Sequence, residues 1–435
     1  MSGASPHEVG VELDHEPLPA AGYRTYEVYQ RERVGESTNQ LTPRELISNE
    51  MLTDPFRLLT IVREHTPCYR DWIGNRFWIT RYDDVTSVFA DDANFESRSK
   101  RWFSGQPTFG RDLGTELPVL WAQANRIDAH VEEIVERMLR DLENEPDLVG
   151  GFAARLPLEL WGAVLDLPRA DLADFAGLHW RIQRGAGWHE SDRRDGREAM
   201  VEMARLIEPL VGQRRDDPGD DLISAAVGIE RGVPIGADDI VATIFEADHE
   251  TLHGGLANLW FQLLTQPDQL DVVRNEPRRI KQAWHEALRH SPPVHSARRF
   301  ARREVERFGQ LLPEGALLTC SAAAANRDPR AFRDPDTFLV ERLDLCQREP
   351  RGQYRADGLP SGIAFGLGRP SVHPAVPKER PRSQYALTRD VAATASRMLL
   401  EAYPAIRLVP DAAPVLRSLQ LGEMYTCREL CVSLR

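Results

Sequence analysis

Apolar residues recur at helical spacing through 238–266, DDIVATIFEADHETLHGGLANLWFQLLTQ. Ile240, Ile244, Phe245, Leu252, Leu256, Leu259, Trp260 and Leu263 carry the pattern. Asp238 and Asp239 sit where a cap and a first-turn acid belong, and Pro267 stops the run. At about 1.5 Å per residue such a helix is roughly 40 Å long, enough to cross a whole domain. Its centre, Ala247-Asp248-His249-Glu250-Thr251-Leu252-His253-Gly254-Gly255, is polar and then weakened by glycine. Buried polar groups must be paired or must face a cavity.

The same periodicity predicts helices over 54–66, 121–145, 153–166, 169–183, 195–213, 278–290 and 384–403. RFWITRYDDVTSVFAD (76–91) reads as a strand, a turn and a helix start. Further short strands fit 294–301, 303–308 and 316–320, punctuated by Gly309 and Pro313-Glu314-Gly315. The sum is a mainly α fold with a small antiparallel β-region. Residues 1–45 are a polar lead-in, and 46–435 read as one domain, with no repeat and no linker.

Composition narrows the function classes. A net charge of −13 disfavours nucleic acid and anionic membrane. Lys100, Lys281 and Lys378 are the only lysines, so nearly all positive charge is arginine. The few scattered cysteines read as reduced, Cys427 and Cys431 lack a second pair that would complete a metal site, and no signal peptide is expected from the polar, acidic first residues. No run of about 18 apolar residues occurs, so no membrane span and a cytoplasmic location are expected.

The chain resembles the cytochrome P450 family in several pieces, in order. TDPFRLLTIVREHTPCYRDWIGNRFWITRYDDVTSVFADDANFESRS resembles that family's N-terminal helix and sheet, and 238–266 its oxygen-groove helix, with Ala247, Glu250 and Thr251 at motif positions. Glu286-Ala287-Leu288-Arg289 is similar to the ExxR motif, and residues 298–343 to the sheet and meander that follow it. The resemblance implies the P450 fold, a Glu286, Arg289 and Arg342 triad, and a haem-propionate role for Arg299.

The likeness fails at the iron ligand. The family's Phe-Gly-x-Gly-x-His-x-Cys-x-Gly begins here as Phe365-Gly366-Leu367-Gly368 and continues Arg369-Pro370-Ser371-Val372-His373. Val372 falls on the cysteine position, and no cysteine lies between Cys346 and Cys427. The HxxxR pair ahead of the 121–145 helix is absent, and Asp248 replaces a small residue. Without a thiolate, the electron donation that favours O–O cleavage is missing.

Three functions follow. The first is a haem-free tailoring enzyme with no cofactor, acting by redox-neutral cyclisation, elimination or hydrolysis through Asp248, Glu250 and Thr251. Its substrate would be a bulky or carrier-bound natural-product intermediate. The second is a non-catalytic partner, as for family members that activate glycosyltransferases. The third is a haem enzyme with a replaced ligand, His373 or water. At about 100° per residue, Ala247, Asp248, Thr251, Gly254 and Gly255 form one stripe, which the resemblance places toward the central cavity, with His249 and His253 on the opposite face. HETLH is also a literal zinc-type H-E-x-x-H through His249 and His253, though no third ligand is identifiable.

Overall fold

In the computed structural model, residues 41, 44–187, 189–247, 249–347, 360–364, 381–418 and 424–435 are described. Asp248, His373 and the Phe365–Gly368 motif lie outside them. The chain runs α1 (Asn49–Thr53), α2 (Phe56–His65), β1 (Cys68–Asp71), β2 (Arg76–Ile79), α3 (Tyr82–Phe89), β3 (Phe95–Glu96), α4 (Lys100–Phe103) and α5 (Leu117–Leu142). Then come α6 (Leu156–Leu165), α7 (Leu172–Arg184), α8 (Glu190–Asp216), α9 (Leu222–Val227), α10 (Ala237–Glu246), α11 (Glu250–Thr265), α12 (Pro267–Asn275) and α13 (Ile280–His290). β4 (Ser296–Ala301), β5 (Val305–Arg307), β6 (Gln310–Leu312), β7 (Leu317–Ser321), α14 (Ala322–Ala325) and α15 (Gln384–Ala402) follow, before short C-terminal strands.

The helical periodicities become burial. Helix α5 turns Ile127, Val131, Ile134, Val135, Met138 and Leu142 inward. It packs on α6 and α15, while α11 packs on α13 and α15, so these helices share one large apolar core. Helix α5 starts at Leu117, four residues before the predicted 121, because Pro118 suits a first helical turn. Helix α8 is likewise longer than predicted. Gly185 and Gly196 bring α7 and α8 into backbone contact: a Cβ on Gly196 would stand 2.7 Å from the Gly185 Cα.

The β-region is a five-stranded sheet in the order β1-β2-β7-β4-β3. Its pairs are antiparallel except β2 with β7, which run parallel in the register Phe77↔Leu318 and Ile79↔Cys320. Phe77, Ile79, Leu318 and Cys320 form a second core with Phe332 and Ile363. The sequence pattern missed β6, which pairs with β5 across the Phe308-Gly309 turn, where both residues take positive φ.

Between the two cores lies the ion network expected of Glu286, Arg289 and Arg342. Arg289 donates Nη2 to Glu286 Oε1 at 2.7 Å, and Arg342 donates Nε to the same oxygen at 3.0 Å. Glu286 and Arg289 are fully buried. The guanidiniums also donate to the carbonyls of Asn326, Pro335, Thr337 and Arg333, so the charges are compensated on every side. This cluster pins the meander to α13.

Candidate functional site

The helix expected over 238–266 is two helices. Helix α10 ends at Glu246, Ala247 is extended (φ −65°, ψ 143°), and α11 begins at Glu250. A break exposes carbonyls that a continuous helix would satisfy. Lys100 on α4 meets that need. Its Nζ donates to the Ala247 carbonyl at 3.0 Å, to the Glu250 carboxylate at 3.0 Å and to Gln183 Oε1 at 3.4 Å. Glu246 answers from the other side, accepting from the Lys100 and Arg101 backbone amides at 2.9 and 3.1 Å. Thus α4 is clamped to the break by carboxylates from both helices.

The break also gathers imidazoles. The rings of His179 on α7 and His249 lie 5.0 Å apart, edge to face. The indole of Trp180 stands 5.3 Å from His249 and 5.5 Å from His253. Burial pushes His249 down to about 3 and His253 to about 4, and it lowers His179 as well, so all three are neutral at neutral pH. His179 Nε2, Gln183 Nε2, His249 Nδ1 and both nitrogens of His253 are buried without hydrogen-bond partners. Burial also raises the Glu250 carboxyl, but the Lys100 ammonium that donates to it acts in the opposite sense and keeps the group below the usual carboxylate range. Glu250 is therefore a fixed anion and not a free acid.

A small cleft of about 40 Å³ opens at the break, half open to solvent. Its walls come from α5 (Gln123, Ile127), α6 (Leu160, Trp161), the break (Ala247, His249, Leu252) and the start of α15 (Gln384, Thr388). Two expectations are corrected here. Leaving the helical ladder rotates His249 into the cleft wall, so it does not face away. The expected glycine stripe does not line a cavity either. A Cβ at Gly254 would lie 2.5 Å from Pro293, and one at Gly255 2.5 Å from Trp284, so these residues are small because neighbours press on them. Thr251 is buried and is not part of the cleft wall.

Among the described residues, no three His, Cys, Asp or Glu side chains are grouped to hold a metal ion. Among the described residues the H-E-x-x-H pattern of His249 and His253 thus finds no third ligand, and the Trp180 indole packs against both rings. Arg299 lies elsewhere, on β4. It is buried beside the Phe89 ring at 4.6 Å, and its Nη1 donates to the Arg298 carbonyl at 2.8 Å. Burial lowers its affinity for protons, while Cys320 and Asp92 act in the opposite sense.

Sequence reasoning missed His179, Gln183 and Lys100. One signal was available for the last: lysine is so rare in this chain that one in the Gly/Pro-rich 100–120 stretch stands out.

Residues 278–356, which hold the Glu286 network and Arg299, match the family profile for Cytochrome P450. Cytochrome P450 107B1 of Saccharopolyspora erythraea is 29% identical over 368 residues, spanning 77% of this chain and 84% of that protein. The chain belongs to the cytochrome P450 superfamily. The 6-deoxyerythronolide B hydroxylase of Saccharopolyspora erythraea is 27% identical over 75% of this chain and 87% of its own length. The Bacillus subtilis structure of the bacillaene polyketide synthase cytochrome P450 PksS superposes with a TM-score of 0.70 at 22% identity, covering 91% of this chain and 100% of that one, which shows the P450 fold.

Membership corrects the expectation of no cofactor. The P450 relatives are haem-binding enzymes, which contradicts the expectation of no cofactor and leaves the haem-free, redox-neutral reading without support. No described helix is long and apolar enough to cross a membrane.

Proposed function

We propose that this P450 is a haem-binding oxidoreductase that tailors a bulky natural-product intermediate and holds iron through a ligand other than cysteine. The described residues suit such a group at its carboxylate end. Arg299 is a buried guanidinium with the fork geometry that pairs with carboxylates, at the family's propionate position. The observation that carries the reading is this retained cation together with Glu250 and Thr251 at the helix break, in a chain with no cysteine from 347 to 426.

Haem, when bound, supplies oxygen binding and activation at its iron. The chain's own part is narrower. Lys100 keeps Glu250 ionised and oriented, and the Thr251 hydroxyl, buried in the first turn of α11, is the group that would hand over a proton. Asp248, the third residue of the expected site, lies outside the described residues. The natural-product assignment draws on the relatives' names, 6-deoxyerythronolide B hydroxylase among them.

Titrating the purified full-length protein with haemin while recording absorption tests the reading. Stoichiometric uptake with a Soret band, and a ferrous–CO spectrum without the thiolate-type band, is the expected result. Failure of the wild-type protein to take up haem would overturn it. A docking scaffold for a glycosyltransferase, the competing view, predicts instead that Thr251→Ala and Glu250→Gln leave the biological effect intact.

A further inference from the structure

We propose that the outer face of the α5–α6 pair carries a second ligand site, a groove that takes a small carboxylic acid with an apolar body. The site stands apart from the helix break and does not depend on the haem-binding reading.

The space comes first. A groove of about 190 Å³, partly open to solvent, lies between α5, α6 and the turn that leads into α7. It uses a different face of the same two helices that wall the cleft. Helix α5 gives Gln123 and Ile127 to the cleft, but Arg126, His130 and Arg137 to the groove. An apolar cavity of about 150 Å³ accepts a benzene ring, so the groove has room for a ring or a short chain with a polar head. Its apolar lining is Ile134, Gly162, Ala163, Leu167 and Leu172.

The charges come second. Glu159 on α6 is a buried carboxylate that the chain already satisfies. Arg155 donates Nε to its Oε1 at 2.9 Å, and Arg137 donates Nη2 to its Oε2 at 2.7 Å. Arg169 stands 3.7 Å from that same Oε2, too far for a hydrogen bond, and its side chain is 63% exposed. Arg155 is also engaged by Asp141 at 2.8 Å. Three guanidiniums therefore share two carboxylates, in a chain whose net charge is −13. Arg137 Nε is buried with no hydrogen-bond partner. Buried donors are normally paired. The Arg137 fork, a shape that grips carboxylates, is thus only half used.

The remaining groups on the groove set the charge of the ligand. Arg126 is fully engaged by Asp166, Asp220 and the Ala163 carbonyl, and Asp166 is held from its other oxygen by Arg214. Glu133 lies 4.0 Å from the His130 ring and adds a negative charge to the rim. Arg137 and Arg169 beside Glu133 suit a monoanion and disfavour a dianion such as phosphate. The apolar lining then favours a ligand whose hydrocarbon body covers it over a bare ion.

Calorimetric titration of the full-length protein with benzoate tests the site, with benzyl alcohol and inorganic phosphate as comparison probes. Benzoate should bind saturably and more weakly as salt rises. Benzyl alcohol and phosphate should bind at least about tenfold more weakly than benzoate. Arg137→Met and Arg169→Met should each weaken benzoate binding about tenfold. Arg278→Met, at an exposed arginine outside the groove, should leave it unchanged. Circular dichroism checks each fold, and if Arg137→Met does not fold, the exposed Arg169→Met decides alone. The assignment is overturned by a wild-type protein with no saturable benzoate binding, by phosphate or benzyl alcohol binding as tightly, or by affinity that survives substitution of Arg169. None of these outcomes bears on haem uptake.

Discussion

Gly255 on α11 presses directly against Trp284 on α13. A Cβ added at Gly255 would stand 2.5 Å from Trp284 Cη2 and 3.2 Å from Leu288 Cδ2. Trp284 is fully buried and cannot step aside. Alanine would gain roughly 1 kcal/mol of helix propensity over glycine, but overpacking a dense core costs about 1–3 kcal/mol. Gly255→Ala is expected to destabilise by roughly 1 kcal/mol on that balance. Gly177, on α7, has nothing within 4 Å of its added Cβ. There the propensity gain stands alone, and Gly177→Ala should stabilise by about 0.5–1 kcal/mol. Urea melts of both variants check the pair, and shifts of the same sign would contradict it.

The clamp between Lys100 and Glu250 makes a second expectation. Each side chain is 24% exposed, so the pair is screened only in part. Lys100→Met leaves the Glu250 carboxylate and the Ala247 carbonyl without their donor, at a cost of about 2 kcal/mol. It should also free α4, so proteolysis within 98–114 should accelerate. A double-mutant cycle with Glu250→Gln should give a coupling of about 1 kcal/mol. Additive effects would mean the clamp carries no energy.

How much of this was legible beforehand differs from residue to residue. Periodicity placed Ile127 through Leu142 correctly because burial of one helical face is a local rule. Glu286, Arg289 and Arg342 were legible by resemblance, and their buried geometry agrees. The break between Glu246 and Glu250 was not legible. The apolar spacing of Ile240–Phe245 and Leu252–Leu263 stays in phase on both sides of it, and what stabilises the break is Lys100, far away in sequence. Periodicity also cannot tell a small residue that lines a cavity from one that a neighbour compresses. That is why Gly254 and Gly255 were assigned to open space and turned out to meet Pro293 and Trp284.

Acid sensitivity should have an identifiable source in His285. Its Nδ1 lies 2.7 Å from the Tyr385 hydroxyl, and the two rings stack at 5.7 Å. Burial, aided by Arg389, pushes its pKa from 6.5 down to about 4. The folded state therefore binds this proton less readily than the unfolded chain. The stability it contributes is complete above pH 6.5 and is lost as pH falls from 6.5 to about 4, amounting to about 3 kcal/mol. Denaturation midpoints measured across that window should fall less steeply for His285→Gln than for the wild-type protein. Equal slopes would remove His285 from the account.

Glu286 gives the largest single effect expected. Its carboxylate accepts from Arg289, from Arg342 and from the Leu339 amide at 2.9 Å, and it is fully buried. Glu286→Gln keeps the shape and removes the charge. Two buried guanidiniums then lose the anion they share, and breaking a buried pair in this way costs about 3–5 kcal/mol. The meander residues 333–342 depend on the same guanidiniums through the carbonyls of Arg333, Asp334 and Thr337. Their amides should exchange hydrogen faster in the variant even where the rest of the chain stays protected. Glu286→Gln melting within 1 kcal/mol of the wild-type protein would show that the arginines are satisfied by carbonyls alone, and that the triad acts as a scaffold of hydrogen bonds with little net charge coupling.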